Sequence, residues 1–195
     1  DNLPVYIMTK DQDALQLITN NTRVWLNTST ASDKAAAFYG ESFSKESYNV
    51  PDKYFEFTND TFPFFYEGLS PIQIIDLKAI EGDKSDNIPG VSGVGSKTIY
   101  PLLSEYFDVE SIYDYIEDTD EKEAKEFFKE LGIKKSPIGN LKKQKEVAFL
   151  SKQLATIKCD MEQFNDVTLE DLKVNVNTEL LNEKLKELNF KSLMS

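Results

Sequence analysis

The sequence predicts a mixed α/β, helix-rich fold, with the edge of a small sheet at the start of the chain and mostly helices after residue 70. An apolar run at 5–9, a short helical pattern from Asp13 and a second apolar run at 22–26 give strand, helix and strand in quick succession. This order is typical of an α/β sheet. Further on, Ser70 followed by Pro71 has the form of a helix N-terminus, with Ser70 as the cap.

The remaining elements are predicted from periodicity and turn residues. Residues 28–70 are polar and aromatic with weak periodicity, so we expect only turns and a strand or short helix there. Helices are expected at 72–81, 96–106, 110–117, 121–131, 142–154 and 178–188. Pro101 lies inside the second of these, where we expect a kink or a short 3₁₀ first turn. We therefore divide the chain into an α/β part at 1–70 and a helical part at 71–195.

Composition excludes several classes of protein. Of 195 residues, 40% are hydrophobic, with 13 Phe and 9 Tyr, which excludes a disordered chain. No window approaches the roughly 18 apolar residues of a membrane span, so no membrane partner is expected. The one cysteine, Cys159, cannot form an internal disulfide and fits a reducing compartment, so we expect a cytoplasmic location. The chain has no histidine, which excludes Ser-His-Asp and Cys-His catalysis and histidine zinc sites.

The net charge of −12 argues against a nucleic-acid-binding protein when it is taken as a whole. Its distribution is uneven, however. The acidic stretch at 105–130 has the pattern of a solvated helix face. The basic stretch at 141–158 contains Lys142, Lys143 and Lys145, and it is either a second solvated face or a surface that contacts phosphates.

Two pairs of aspartates are candidates for metal chemistry. Asp11 and Asp13 follow the first predicted strand and could point the same way at the sheet edge, or they could be cap and turn residues. Asp83 and Asp86 would share a face if the helix before them continued for one more turn, or they could be a solvated helix end. Carboxylates held so close together repel one another, and a hard ion such as Mg²⁺ or Mn²⁺ would relieve the repulsion.

A glycine-rich segment, GVSGVGSKT at 90–98, lies between two predicted helices. A tight hairpin there would present backbone N–H groups and Lys97 to a phosphate at the start of the following helix. A Walker A loop is not expected, because Ser96 separates Gly95 from Lys97 and no predicted strand precedes the segment. The alternative is a purely structural turn between helices, which leaves Lys97, Thr98 and the nearby carboxylates unexplained.

Together these motifs resemble those of a known family. The run IIDLKAIEGDKSDNIPGVSGVGSKTIYPLL resembles the helix-three-turn-helix segment of the 5′-nuclease superfamily, and it is most similar to the 5′→3′ exonuclease domain of bacterial DNA polymerase I and its free-standing and phage relatives. VYIMTKDQDALQLI, LSKQLATIKCD and LKELNFKSLM resemble further family segments in the same order. The resemblance implies a PIN-like α/β sheet followed by a SAM-like subdomain that contains a helix-hairpin-helix.

The resemblance also implies roles for individual residues. Asp11, Asp13, Asp83 and Asp86 match aspartates of a catalytic site that holds two divalent ions, Mg²⁺ or Mn²⁺, for hydrolysis of phosphodiester bonds in 5′-ended or flapped DNA. The hairpin residues that match the family's grip on the duplex backbone, with a monovalent cation such as K⁺ in some relatives, are Gly93, Gly95, Ser96, Lys97 and Thr98. Such contacts position DNA without reading its sequence.

The family's first half, with its early strands and remaining acidic ligands, has no counterpart in these residues. We therefore expect an incomplete two-metal site, no cleavage by this chain alone, and a partner in that missing N-terminal half, with a polymerase fused to it. The alternative is a helix-hairpin-helix module that binds DNA without cutting it. The two aspartate pairs favour the nuclease, because a binding module has no need of them.

Overall fold

The computed structural model describes residues 3–40 and 50–194. The chain forms two compact units, Asp1–Ile157 and Lys158–Ser195. The division that the sequence suggested at residue 70 stays a prediction.

A three-stranded sheet opens the first unit, with strands β1 (Val5–Thr9), β2 (Thr22–Asn27) and β3 (Tyr54–Phe57) in that spatial order. β1 and β2 are parallel, with Val5 opposite Thr22, and β3 is antiparallel to β2. The two strands predicted from the sequence are confirmed. Val24 and Leu26 are both buried, as their alternate positions on one face predicted.

Residues 28–70 hold more structure than the sequence pattern indicated. Besides β3 they form helices α1 (Ala31–Tyr39) and α2 (Thr61–Phe65). Three aromatic side chains of this stretch are almost completely buried in the core, those of Phe55, Phe57 and Phe62, whereas Phe64 is exposed. The elements of this stretch are short and are joined by polar turns. Each therefore contains too few residues to show a clear hydrophobic repeat, which explains the weak periodicity.

A series of helices completes the first unit, beginning with a 3₁₀ turn at Pro71–Gln73 directly after Ser70. They are α3 (Ile74–Glu81), α4 (Ser96–Tyr106), α5 (Val109–Asp118), α6 (Glu121–Glu130), α7 (Ile138–Lys143) and α8 (Lys145–Ala155). The mostly helical second half is therefore confirmed, to within a few residues at most helix ends.

Two details refine the predicted helices. The single helix predicted at 142–154 is two helices, because Gln144 has φ −119° and ψ 26° and ends α7 before α8 begins. Pro101 lies inside α4, whose first turn combines a 3₁₀-type hydrogen bond from the Thr98 N–H to the Gly95 carbonyl (2.8 Å) with an α-helical one from the Ile99 N–H (3.1 Å). The N–H that proline lacks would have bonded to the carbonyl of Lys97, in the first turn of the helix.

Buried polar side chains tie these helices together. Gln73 donates from Nε2 to the carbonyls of Leu103 (2.8 Å) and Phe107 (2.7 Å), which lie at the C-terminal end of α4. Asp76, on α3, accepts from the backbone N–H of Val109 (3.0 Å) and pairs with Lys152 of α8 (2.6 Å). α3 and α8 are thus joined by a buried ion pair as well as by their apolar faces.

The second unit contains the 3₁₀ turns Glu162–Phe164 and Lys191–Leu193 and one α-helix, α9 (Thr178–Glu187). No described residue of this unit is fully buried.

Among the helices of the described residues, none has the length and apolar character needed to cross a membrane.

Candidate metal centre and nucleic-acid interface

Three of the four predicted aspartates come together in the fold. Asp13, Asp83 and Asp86 each place a carboxylate oxygen within 4.8 Å of the others. Asp13 and Asp83 are half-buried, and Asp86 is exposed. Asp11 is not part of this group of three, which we call the carboxylate cluster.

The first pair of aspartates divides into two roles. The Asp11 carboxylate accepts a hydrogen bond from the backbone N–H of Asp13 (2.9 Å) and caps a six-residue 3₁₀ helix, Gln12–Leu17. The structural alternative considered for this pair therefore fits Asp11. Asp13 lies in the first turn of that helix and faces the second pair of aspartates.

Gln16, one 3₁₀ turn after Asp13, anchors this short helix to the end of α8. Its Nε2 donates to the carbonyl of Ala155 (2.9 Å), and its Oε1 accepts from the backbone N–H of Ile157 (2.8 Å). Gln16 is buried, and the first of these bonds joins residues 139 positions apart. A glutamine that satisfies two backbone groups in the interior fixes the helix that carries Asp13.

The second pair lies in a loop, not on the helix extension that the sequence analysis considered. α3 ends at Glu81 because Gly82 takes a left-handed φ of 75°. Asp83 and Ile88 then exchange two backbone hydrogen bonds of 2.8 and 2.9 Å, which closes the loop that contains Asp86. A Cβ on Gly90 would lie 2.3 Å from the nitrogen of Gly82, so only glycine allows the two backbones to meet.

Lys78 belongs to the cluster, and the sequence analysis missed it. Its ammonium group contacts the carboxylate of Asp13 and lies 2.7 Å from that of Asp83. The hydrogen bond from Lys78, with two more from Ser85, lowers the pKa of Asp83 to about 2. Its position in the sequence could have indicated this contact, because Lys78 lies five residues before Asp83, in the last turn of a predicted helix.

The cluster suits a hard divalent cation. Three carboxylates and one ammonium leave a net charge of about −2, and all the candidate ligands are oxygens. The site opens to solvent through a cavity of about 490 Å³ whose lining includes Asp11, Asp13, Lys78, Asp83 and Ser85. An ion could therefore reach the carboxylates without a rearrangement of the backbone.

The predicted hairpin follows the cluster directly and is exposed at its tip. Gly93 has φ +82°, a conformation that other residues rarely adopt, and Gly95 precedes the first turn of α4. Within the described part of the chain, the backbone N–H groups of Gly93, Gly95, Ser96 and Lys97 have no hydrogen-bond acceptor. Such a set of free N–H groups at a helix N-terminus suits an anion.

The predicted basic residues differ in their surroundings. Lys97, Lys142 and Lys143 are exposed, and none of them has an ion-pair partner among the described residues. Lys145 instead pairs with Glu117 (2.5 Å) and lies 5.4 Å from the centre of the Tyr113 ring. Its side chain has a structural role, so its predicted contact with phosphate is the weakest of the four.

Comparison with known families gives one match that covers more than half of the chain. The family model described as "5'-3' exonuclease, C-terminal SAM fold" matches residues 69–179. This region begins just before α3 and contains Asp83, Asp86 and the hairpin.

Curated relatives extend the similarity to nearly the whole chain. DNA polymerase I of Caldicellulosiruptor bescii is 38% identical over 193 residues, which are 98% of this chain and 19% of the relative. A 5'-3' exonuclease of Halalkalibacterium halodurans is 31% identical over 180 residues, 92% of this chain and 48% of the relative. The chain thus spans less than a fifth of the first and about half of the second.

Solved structures share the fold. The 5'-exonuclease of bacteriophage T5 with divalent metal ions (zinc) bound has a TM-score of 0.50 and 24% identity over 78% of this chain and 42% of its own. The T5 D15 flap endonuclease in a complex with DNA and metal ions gives the same TM-score at 23% identity.

Proposed function

Because the chain belongs to the 5′-3′ exonuclease family, we propose that it is the DNA-binding part of a metal-dependent nuclease, with Asp13, Asp83 and Asp86 as ligands of a divalent ion. The observation that carries the proposal is the convergence of these three carboxylates from two distant segments of the chain. A fold that only bound DNA would gain nothing from this convergence, because like charges held together destabilise it.

The chemistry assigned to the site is phosphodiester hydrolysis. A divalent ion bound there would activate water and stabilise charge on the scissile phosphate. The carboxylates of Asp13, Asp83 and Asp86 would hold the ion, while the ammonium group of Lys78 offsets part of the repulsion between Asp13 and Asp83. Asp11 has a structural role instead, since its carboxylate accepts a backbone hydrogen bond as the cap of the 3₁₀ helix.

The hairpin and its neighbouring lysines would hold the DNA backbone. The free N–H groups of Gly93, Gly95, Ser96 and Lys97 suit one phosphate, and the exposed ammonium groups of Lys97, Lys142 and Lys143 add charge. None of these groups distinguishes one base from another, so binding would be independent of sequence.

A second candidate, a helix-hairpin-helix module that binds DNA without cutting it, has one observation in its favour. Lys78 already bridges Asp13 and Asp83, so part of the repulsion within the cluster is relieved without any metal ion. The two candidates differ in whether the cluster binds a divalent ion, which can be measured directly.

Several finer points belong to the proposal. The ion is Mg²⁺ or Mn²⁺, the substrate is a 5′-ended or flapped duplex, and the location is cytoplasmic. The 195-residue chain alone is inactive, because three carboxylates and a lysine provide too few ligands for two ions. The remaining ligands come from an N-terminal half of the same nuclease, and a fused polymerase fits the relatives of that name. K⁺ at the hairpin rests on the family resemblance.

DNA binding is tested by fluorescence anisotropy with random duplexes that carry a 5′ flap, in Ca²⁺ and at several salt concentrations. We expect affinity to fall steeply with salt, with each neutralised phosphate contributing roughly 0.9 to the slope of log affinity against log salt. Lys97→Ala should lower that slope by about one and leave sequence preference unchanged. Binding that does not respond to salt, or no binding at low salt, would refute the DNA-binding role.

Cleavage is tested with the same flap duplex in Mg²⁺. The 195-residue chain should leave it intact, and a longer protein that includes an N-terminal half should cut it. In that longer protein Asp86→Ala should abolish cleavage with DNA binding in Ca²⁺ preserved, whereas Asp114→Ala, a change at an exposed aspartate of α5, should do neither. Robust cleavage by the 195-residue chain would place the active site elsewhere.

A further inference from the structure

The joint between α7 and α8 contacts the outer face of the hairpin. Gln144 is the only residue between the two helices, and its non-helical backbone turns its side chain toward Ser92. Ser92 lies 52 positions earlier in the chain, beside the hairpin glycine Gly93. The contact is therefore a tertiary one. The α7–α8 joint that makes it is separate from the segments that carry the carboxylate cluster.

Gln144 bonds to both backbone groups of Ser92. Its Oε1 accepts from the Ser92 N–H (2.9 Å), and its Nε2 donates to the Ser92 carbonyl (3.1 Å). A side-chain amide that pairs with both groups of one residue fixes that residue's position and the orientation of its peptide planes. The Ser92 N–H therefore already has a hydrogen-bond acceptor and is not available to a ligand.

Asn140, on α7, supports the same face. A Cβ on Gly93 would lie 2.6 Å from Asn140 Nδ2, so the asparagine amide packs directly against the glycine. Asn140 and Gln144 thus contact two successive residues of the hairpin, Gly93 and Ser92, directly before and among the residues with free N–H groups.

We propose that Gln144 is a positioning residue for phosphate binding: it sets the hairpin backbone so that the free N–H groups converge on one anion. The inference rests on the DNA-binding role proposed above. Val91 and Val94 are buried and fix the base of the hairpin, but Ser92 and Gly93 at its tip are exposed. Without Gln144, the tip would have to be ordered when DNA binds, at a cost in affinity. Lys142 and Lys143, in the last turn of α7, directly precede Gln144 in the chain.

The test compares duplex affinity and amide exchange in three variants of the 195-residue chain. Gln144→Ala removes the side chain, and Gln144→Met keeps its length and apolar contacts but not its hydrogen bonds. Gln153→Ala is the matched control, because Gln153 is an exposed glutamine of α8, the helix that follows Gln144. The measurements are anisotropy titrations with a random duplex and hydrogen exchange of the Ser92 amide by NMR.

We expect Gln144→Ala and Gln144→Met to bind the duplex roughly fivefold more weakly than the unmodified chain. This is the loss of affinity that corresponds to the net free energy of one hydrogen bond. The salt slope should not change, since no phosphate contact is removed. The Ser92 amide should exchange faster in both variants, and Gln153→Ala should resemble the unmodified chain in every measurement.

Three results would overturn the inference and leave the DNA-binding role intact. These are normal affinity of Gln144→Met, faster Ser92 exchange with unchanged affinity, and an equal loss of affinity in Gln153→Ala. If the unmodified chain itself shows no salt-dependent binding, the proposed function fails and this inference fails with it.

Discussion

The carboxylate cluster and the hairpin are neighbours in the chain, but they are assembled in different ways. The hairpin residues that present free N–H groups are nearly consecutive, from Gly93 to Lys97. The cluster instead joins Asp13, which follows the first strand, to Asp83 and Asp86, which follow α3. Local backbone conformation creates the set of free N–H groups in the hairpin, whereas tertiary contacts create the carboxylate cluster.

This difference indicates where each site is sensitive to change. The cluster depends on buried polar contacts that hold α8 against its neighbours. Gln16 joins the helix of Asp13 to the end of α8, and Lys152, in the last turn of α8, joins that helix to α3. The hairpin tip depends on glycine conformation and on the side-chain amides of Gln144 and Asn140, which contact Ser92 and Gly93. Substitutions in the buried contacts should therefore cost more stability than substitutions in the hairpin.

The largest effect is expected from Lys152→Met. It removes the partner of Asp76, a carboxylate that is only 5% exposed, and should lower the free energy of unfolding by about 3–5 kcal/mol. Burial raises the pKa of Asp76 above 3.8 more than its hydrogen bonds from Lys152 and Val109 lower it. Urea unfolding at pH 7 measures the loss.

The pH dependence of the same variant gives a second check. An acid whose pKa is raised by folding contributes stability below its unfolded pKa and loses it as the pH rises through the folded value. Lys152→Met should therefore regain stability as the pH falls toward 4. Lys142→Met, at an exposed lysine, should stay within about 0.5 kcal/mol of the unmodified chain at both pH values. A Lys152→Met protein as stable as that control would contradict the buried pair.

An intermediate effect is expected from Gln16→Ala. The variant leaves the Ala155 carbonyl and the Ile157 N–H without their side-chain partner, which should cost about 2–3 kcal/mol. Because Asp13 lies on the helix that Gln16 anchors, affinity for Mn²⁺ should fall as well. Gln12→Ala, at an exposed position of the same helix, is the control for thermal unfolding. Because Gln12 lines the cavity beside the cluster, the control for Mn²⁺ titration is Gln153→Ala, at an exposed position of α8. Unaltered stability in Gln16→Ala would show that the short helix is held by other contacts.

The smallest change in stability is expected within the hairpin. Gly93→Ala places a side chain at φ +82° and should cost about 1–2 kcal/mol. Gly139→Ala, inside α7 with open space around its Cβ position, should instead stabilise the protein by about 0.5–1 kcal/mol. Thermal unfolding of the two variants should give shifts of opposite sign, and shifts of the same sign would refute the assigned conformation of Gly93.

The same contrast explains what the sequence could predict. The hairpin and the helix after it were predicted with correct bounds, because Gly-Val-Gly followed by polar residues encodes its conformation locally. Which aspartates converge was not predictable, since Asp11 and Asp13 are both acidic residues after one strand and only the fold separates a cap from a cluster member.

The missed features have the same origin. Lys78 enters the cluster through its position on α3 relative to Asp13, which no local pattern reveals. Asp83 and Asp86 were considered as one face of an extended helix, whereas the left-handed Gly82 ends the helix and a backbone bridge to Ile88 brings them together. Residues 28–70 were expected to hold only a strand or a short helix, and the positions of α1, α2 and β3 were not predicted because short elements with polar turns give little periodicity.

The central claim, that Asp13 is a metal ligand and Asp11 is not, is tested most directly by binding of Mn²⁺ to two matched variants. Electron paramagnetic resonance of free Mn²⁺ would be followed during titration with the unmodified chain, Asp11→Asn and Asp13→Asn. Asparagine caps a helix as well as aspartate does, so Asp11→Asn should bind Mn²⁺ nearly as the unmodified chain does. Asp13→Asn should lose at least tenfold in affinity, while equal losses in the two variants, or unchanged binding in Asp13→Asn, would contradict the assignment.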